Sequence, residues 1–266
     1  MKIYLAGNNQ KAHIINGIWG GGDIRIFLAG QPTWREQGLY DESIKKFKPF
    51  ILESFYYVSD ETTRLLPMFG DFLLDSGAFT FMQNSNGKTN WDEYLERYAH
   101  FVNKYKVEKF FELDIDSIVG YGKVLEYRKT LEKLTNRQCI PVWHENRGKD
   151  EFIRMCEEYS YVSIGSGDTK KNERLPWFIS TAHKNNAKIH GLGFTALTKL
   201  DKYHFDSVDS TAWTAGNRFG FAYKFDGKNM TKIQAGKGRR IVDGKMLALN
   251  NFVEWVKFQQ YALNHL

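Results

Sequence analysis

The chain is poor in the residues that staple, break or anchor a protein. Only two of its 266 residues are cysteine, Cys139 and Cys156. They form no C-x-x-C pair, so a thiolate zinc site and a disulfide framework are both excluded as readings, and free thiols in a reducing compartment are expected. No run approaches the ~18 apolar residues that span a bilayer, so no membrane partner is expected. The apolar stretch of the opening MKIYLAGNNQKAH is too short for a secretory leader, and the expected location is cytoplasmic. With five prolines and no Ser/Gly/Pro-rich stretch, nothing reads as a linker. Internal repeats and low-complexity tracts are also missing. Residues 1–266 therefore read as one domain, large enough for a full core.

What is present is ordinary for a globular protein, with two departures. Aromatic residues make up 15% of the chain, and Lys plus Arg exceed Asp plus Glu by 37 to 31, giving a net charge of +6. Most of the aromatic rings are expected in the core, with some available as stacking platforms for bases. The positive balance permits a polyanionic partner without requiring one.

Short apolar runs alternate with helix-length amphipathic segments. Strands are predicted at Lys2–Ala6, Ile24–Ala29, Ile51–Val58, Phe72–Asp75, Lys109–Asp114, Cys139–Trp143, Tyr161–Ile164, Lys188–Gly191 and Phe205–Asp209. Helices are predicted over Trp91–Tyr105, Tyr121–Leu134, Asp150–Tyr159, Arg174–Asn185 and Leu247–Leu263, where apolar residues recur at a 3.6-residue period. This alternation predicts an α/β fold with a parallel sheet, and the chain length fits a (β/α)8 TIM-type barrel. An open doubly wound sheet is the alternative. After the last strand the pattern changes. Phe219, Phe221, Tyr223 and Phe225 alternate before Asp226-Gly227, which predicts a β-hairpin inserted at about 218–241.

Barrel enzymes build their sites at the C-terminal ends of the strands. Three of the predicted ends here are carboxylates, Asp75, Asp114 and Asp209. His144 ends another strand, and glycine-rich turns begin at Gly165 and Gly191. Any one aspartate could simply cap the next helix, and each glycine could simply make a turn. Together at one mouth the carboxylates favour chemistry at an anomeric carbon, one attacking or stabilising C1′ and another moving a proton. A sugar hydrolase fits that pattern equally well.

The strand ends also resemble a known family. Asp75-Ser76-Gly77-Ala78-Phe79 is similar to the Asp-Ser-Gly-Gly-Phe signature of the tRNA-guanine transglycosylases. Phe205-Asp206-Ser207-Val208-Asp209-Ser210 resembles that family's nucleophile segment, with Asp209 on the nucleophile. Leu113-Asp114-Ile115, Gly165-Ser166-Gly167, Gly191-Leu192-Gly193 and Gly216-Asn217-Arg218 resemble further family segments in the same order. The three-Cys, one-His zinc site of the tRNA enzymes has no counterpart, since no cysteine follows Cys156. The chain looks more like the compact phage-type relatives that insert 7-deazaguanine bases into DNA, which would place it in a host cytoplasm.

The resemblance implies a double displacement. Asp209 attacks C1′ of a flipped guanine nucleotide, guanine leaves, and a 7-deazaguanine such as 7-cyano-7-deazaguanine enters as Asp75 removes its proton. Asp114 would read the base edge, Gly165 and Ser166 would offer amides to the O6 side, and Ser76, His144, Gly191 and Gly193 would complete the pocket. No metal or other cofactor is expected. Arg218, Lys237, Arg239 and Arg240, with Lys232, would meet the phosphates of DNA. Trp213, Phe219 and Phe221 could stack on bases. Asp206 is expected to be structural, and Asp168 a helix cap. The same exchange on tRNA, an unrelated barrel glycoside hydrolase and a non-catalytic nucleic-acid-binding protein are the other readings.

Overall fold

The computed structural model describes residues 1–7, 10–19, 44, 46–77, 80, 89–170, 173–194, 199–234 and 243–266. In chain order its strands and main helices are β1 (Lys2–Leu5), α1 (Gln10–Trp19), β2 (Phe50–Ser54), α2 (Asp60–Leu65), β3 (Asp71–Asp75), α3 (Trp91–Lys104), α4 (Asp116–Val119), α5 (Tyr121–Thr135), β4 (Val142–Trp143), α6 (Lys149–Glu158), β5 (Tyr161–Ile164), α7 (Leu175–Lys184), β6 (Lys188–Gly191), β7 (Ser207–Ser210), α8 (Ala215–Phe219), β8 (Phe221–Phe225), β9 (Met230–Gln234) and α9 (Gly244–His265).

Seven strands form one parallel sheet in the order β3-β2-β1-β7-β6-β5-β4. Parallel neighbours need long crossovers, and helices supply them. Two isolated parallel bridges, Leu74 to Phe110 and Phe111 to Ile140, extend the pairing from β3 toward the residues just before β4. The result is a curled parallel sheet of the TIM-like α/β kind. Its register sets the site. Ser54 lies beside Asp75, Tyr4 beside Asp209, and Ser163 beside His190. Because the strands are parallel, their C-terminal ends share one rim.

Alternation along the strands sorts the side chains. Tyr4, Phe50, Leu52, Leu73, Phe111, Ile140 and Val142 pack together inside the curl. Ile3, Leu5, Ile51, Val162, Ile189 and Val208 face outward into a second cluster shared with α1, α6, α7 and α9. A third cluster lies under α3 and α5, where Leu74 and Phe110 meet Tyr94, Tyr98, Val102 and Leu131. Burying each large apolar side chain contributes about 1.5–3 kcal/mol, so these three layers dominate the cohesion of the fold.

The predicted helices α3, α5, α6, α7 and α9 are all present, within a few residues at their ends. The strands needed more correction. Ile51–Val58 ends at Ser54, because Phe55–Tyr57 turn into a 3-10 segment and Ser59 then caps α2 through the Thr62 amide. Helix α1 was not foreseen. The predicted Ile24–Ala29 strand lies outside the described residues. Lys109–Asp114 makes only bridges, since Glu112 turns its carboxylate to the Val142 amide at 2.8 Å in place of a carbonyl.

Beyond β7, β8 and β9 pair antiparallel across Asp226, which accepts from the amides of Lys228 and Asn229 at 2.9 and 2.7 Å. Helix α9 covers the free edge of β8 with side chains. Asn251 accepts from Tyr223 N at 2.6 Å, Glu254 accepts from Phe225 N at 2.6 Å, and Asn250 donates to Tyr223 O at 2.8 Å. An uncovered edge would offer its amides to another chain. Trp213 and Phe221 are core residues, and the Trp213 indole donates to Ala6 O at 2.9 Å, so neither is free to stack on a base. Phe219 remains exposed.

Candidate active site

Asp209 comes to the rim because the alternation of β7 that sends Val208 outward into the core turns Ser207 and Asp209 inward. The residue is only 7% exposed. Its Oδ1 accepts from Gly193 N at 2.6 Å and lies 3.3 Å from His190 Nε2. Among the described residues, Oδ2 makes no hydrogen bond. Gly193 has φ +61°, a left-handed backbone that favours glycine, and this conformation holds its amide against the carboxylate. His190 is fully buried, and its Nδ1 lies 2.6 Å from Ser207 Oγ. Ser207 Oγ in turn meets the Tyr161 hydroxyl. Nothing in the residue pattern marks His190 beyond an inward position on β6, one residue before a glycine that drew attention for other reasons.

Asp75 ends β3. Burial pushes its carboxyl up, to about 7; a hydrogen bond from Gly77 N at 3.1 Å opposes this, and the charges of Asp114 and Asp209 add to it. The three aspartates therefore sit in one electrostatic neighbourhood. Gly77 has φ +80°, and a Cβ there would fall 2.9 Å from Ser54 Oγ and Tyr56 Cβ, so the turn after Asp75 requires glycine. Ser76 is fully buried, and its carbonyl accepts from the Tyr94 hydroxyl at 2.6 Å. Tyr98 braces the same region, its hydroxyl lying 3.2 Å from Leu74 O and 3.0 Å from Phe111 O.

Asp114 does not stand alone. His144 Nε2 lies 2.7 and 2.9 Å from its two oxygens, and Arg147 Nη2 donates to Oδ1 at 3.3 Å. The Arg147 side chain is fully buried and also donates to Glu112 at 2.8 Å and to Asp116 at 3.3 Å. Arg128 donates to the other Glu112 oxygen at 2.7 Å. Burial alone would lower the His144 pKa, but the hydrogen bond and charge of Asp114 turn the net shift upward. Burial would raise Asp116, but Arg147, Asn146 and His144 hold it below the usual carboxylate range. His144 Nδ1 faces Asp168 Oδ2 at 3.5 Å, and the next described helix, α7, has Arg174 at its cap position.

The glycine turns serve packing. A Cβ on Gly165 would fall 2.3 Å from His144 Cε1, so this glycine seats the imidazole. The Gly165 amide donates to Trp143 O at 2.9 Å and is not available to a base, which corrects the O6 contact expected of Gly165. Ser166 is exposed at the same turn. Gly191 makes room for the Phe205 ring, 3.1 Å from where its Cβ would be. Asp206 is structural, as expected, accepting from Ile189 N at 2.8 Å and lying 3.0 Å from His183 Nε2.

Asp114, Asp116 and His144 bring ligand atoms within 4.8 Å of one another and are the described residues best placed to hold a metal ion. Arg147 already supplies compensating positive charge to both aspartates, so a cation would have to displace the guanidinium. A cavity of about 590 Å³ lies beside the ends of β1 and β2, lined in part by Lys11, Glu53 and Tyr57, but none of the three rim aspartates lines it. Arg218 lies on α8, Lys232 on exposed β9, and Lys237, Arg239 and Arg240 outside the described residues.

No protein-family model matches this chain, and no curated protein matches it. Among solved structures it is similar to the carboxyl transferase domain of Rhizobium etli pyruvate carboxylase, determined with pyruvate, at 12% identity and a TM-score of 0.41. The alignment covers 80% of this chain and 41% of that one, and a likeness so slight carries no functional argument.

Proposed function

We propose that this chain is a transglycosylase that replaces guanine in DNA with a 7-deazaguanine, through a covalent ester between Asp209 and deoxyribose. The observation that carries this reading is the grouping of Asp75, Asp114 and Asp209, with Asp75 pushed up to about 7 by burial and by the other two charges. A group poised there gives and takes protons at neutral pH. The curl is read as a closed eight-stranded barrel, with Phe110–Phe111 as the missing strand, and the β8–β9 pair as an insertion after the nucleophile strand. The two bridges on either side of Phe110–Phe111 support that closure.

In the first step, Asp209 Oδ2 forms a bond to C1′ as the C1′–N9 bond breaks, and protonated Asp75 gives its proton to the departing guanine. In the second step, Asp75 takes the N9 proton of the incoming 7-deazaguanine. Its N9 then bonds to C1′, and the C1′–Oδ2 bond breaks to restore the Asp209 carboxylate. The strand is returned intact and the scheme uses no metal or nucleotide cofactor. Asp114, an acceptor when ionised, suits the N1–H and amino donors of guanine.

The test is to incubate the protein with guanine-containing DNA and 7-cyano-7-deazaguanine, digest the product and analyse its nucleosides. Modified deoxyguanosine is expected. Modification of tRNA alone would move the activity to RNA, and modification of neither would refute the reading.

A further inference from the structure

Asp209 ends a buried chain of polar groups that the scheme above leaves without a role. The chain runs from the Tyr161 hydroxyl to Ser207 Oγ, from Ser207 Oγ to His190 Nδ1, and from His190 Nε2 to Asp209 Oδ1. We propose that His190 is a positioning residue that fixes the orientation of Asp209 and leaves Oδ2 as the attacking oxygen. This rests on the reading of Asp209 as nucleophile.

The direction of the chain follows from its last member. An ionised carboxylate only accepts, so His190 Nε2 must carry a proton to face it. In the neutral ring Nδ1 is then an acceptor, which the Ser207 hydroxyl satisfies, and Ser207 Oγ accepts from Tyr161. Every donor along the chain thus points toward Asp209. The reverse tautomer would set the Nε2 lone pair against the carboxylate. The imidazole is fully buried, with the Phe111 ring 5.4 Å and the Tyr4 ring 6.1 Å from its centroid, so neighbouring rings hold its plane. Groups that orient a reacting side chain in this way act through geometry and charge, without touching the substrate.

The Gly193 amide is the second donor to Oδ1. With two donors on one oxygen the carboxylate cannot turn about its Cβ–Cγ bond without breaking both. Once Oδ2 is esterified, Oδ1 becomes the ester carbonyl and keeps the same donors. They polarise it, and they are already in place when the carboxylate re-forms as the leaving group. His190 therefore serves both displacements.

Two conservative variants separate the role from simple packing. His190→Gln can place an amide nitrogen near the Nε2 position and keep the bond to Asp209, whereas His190→Asn reaches only the Nδ1 position. With the wild-type exchange rate as reference, His190→Asn is expected to lower kcat roughly 10- to 100-fold with KM for DNA changed less than about threefold, and His190→Gln to recover most of the loss. Ser207→Ala and Tyr161→Phe should lower kcat by progressively less. Equal effects of the Asn and Gln variants, or wild-type kcat in His190→Asn, would overturn the proposal.

A second measurement does not depend on turnover. In protein labelled with ¹⁵N-histidine, NMR should find His190 protonated at Nε2 and unprotonated at Nδ1, with the Nε2 signal displaced by Asp209→Asn. A proton on Nδ1, or an Nε2 signal indifferent to Asp209→Asn, would overturn the orientation even if the protein exchanges bases. If wild-type protein exchanges no base while the NMR signature holds, the functional reading fails and the contact between His190 and Asp209 stands.

Discussion

Asp114 and Asp209 occupy the same rim but are held in opposite ways. Asp209 is held without a guanidinium, by a glycine amide, an imidazole and, behind it, two hydroxyls. Asp114 is held by charge, through the buried Arg147 guanidinium and an imidazole whose pKa is raised. Donors of this kind orient a carboxylate, which suits the nucleophilic role proposed for Asp209. A buried cation pins a carboxylate in place, which suits the base-reading role proposed for Asp114.

That contrast can be broken first at Asp209, the proposed nucleophile. Asp209→Asn keeps the shape and removes the attacking charge. Base exchange should fall by at least about 10³-fold, as when other covalent nucleophiles are removed, with gel-shift binding of DNA retained. Full exchange in this variant would remove Asp209 from the chemistry.

The two supports should also differ in their effect on stability. Arg147→Met strands Glu112, Asp114 and Asp116 around an apolar side chain, and breaking a buried ion pair from one side costs about 3–5 kcal/mol. Ser207→Ala removes one neutral hydrogen bond and should cost about 1 kcal/mol. Urea unfolding of the two variants checks the ratio, and equal losses would erase the distinction between charged and neutral support.

Asp75 brings a pH dependence of definite sign. Its carboxyl holds a proton up to about 7 in the folded chain. In the unfolded chain it ionises near the model-peptide value of about 3.9. Between those values the folded state binds more protons, so this group's contribution to stability falls as pH rises from about 4 to about 7. Asp75→Asn should flatten that part of the stability profile. The smallest effect is expected at one of the glycine turns. Gly165→Ala forces a methyl against His144 and should cost about 1–3 kcal/mol, whereas Gly167→Ala, with nothing within 4 Å, should be nearly neutral in thermal unfolding.

The residue pattern made the frame legible because helices and strands announce themselves by period. Trp91, Tyr94, Leu95, Tyr98 and Val102 mark one helical face, and α3 packs with Tyr94, Leu95, Tyr98 and Val102 buried and Trp91 partly so. Aspartates after apolar runs marked Asp75 and Asp209 as strand ends. What stayed hidden were partners distant in sequence. Arg147 meets Glu112 across 35 residues and His190 meets Asp209 across 19, and neither pairing leaves a local trace. Gly165 and Gly191 were legible as positions without a side chain, but the sequence does not say that the space belongs to His144 and Phe205. Asn250, Asn251 and Glu254 are buried polar residues of α9, and their meaning depends on the strand edge that folds beside them.

The carboxylate of Glu112 stands where a neighbouring carbonyl would ordinarily receive the Val142 amide. Main-chain pairing is usually indifferent to which residues a gene encodes, since every residue but proline carries the same amide and carbonyl. Here one joint between adjacent strands depends on the identity of a single codon. Drift at position 112 would reach the backbone beside Asp114 directly, so the arrangement of this rim is open to selection at a residue that never faces the solvent.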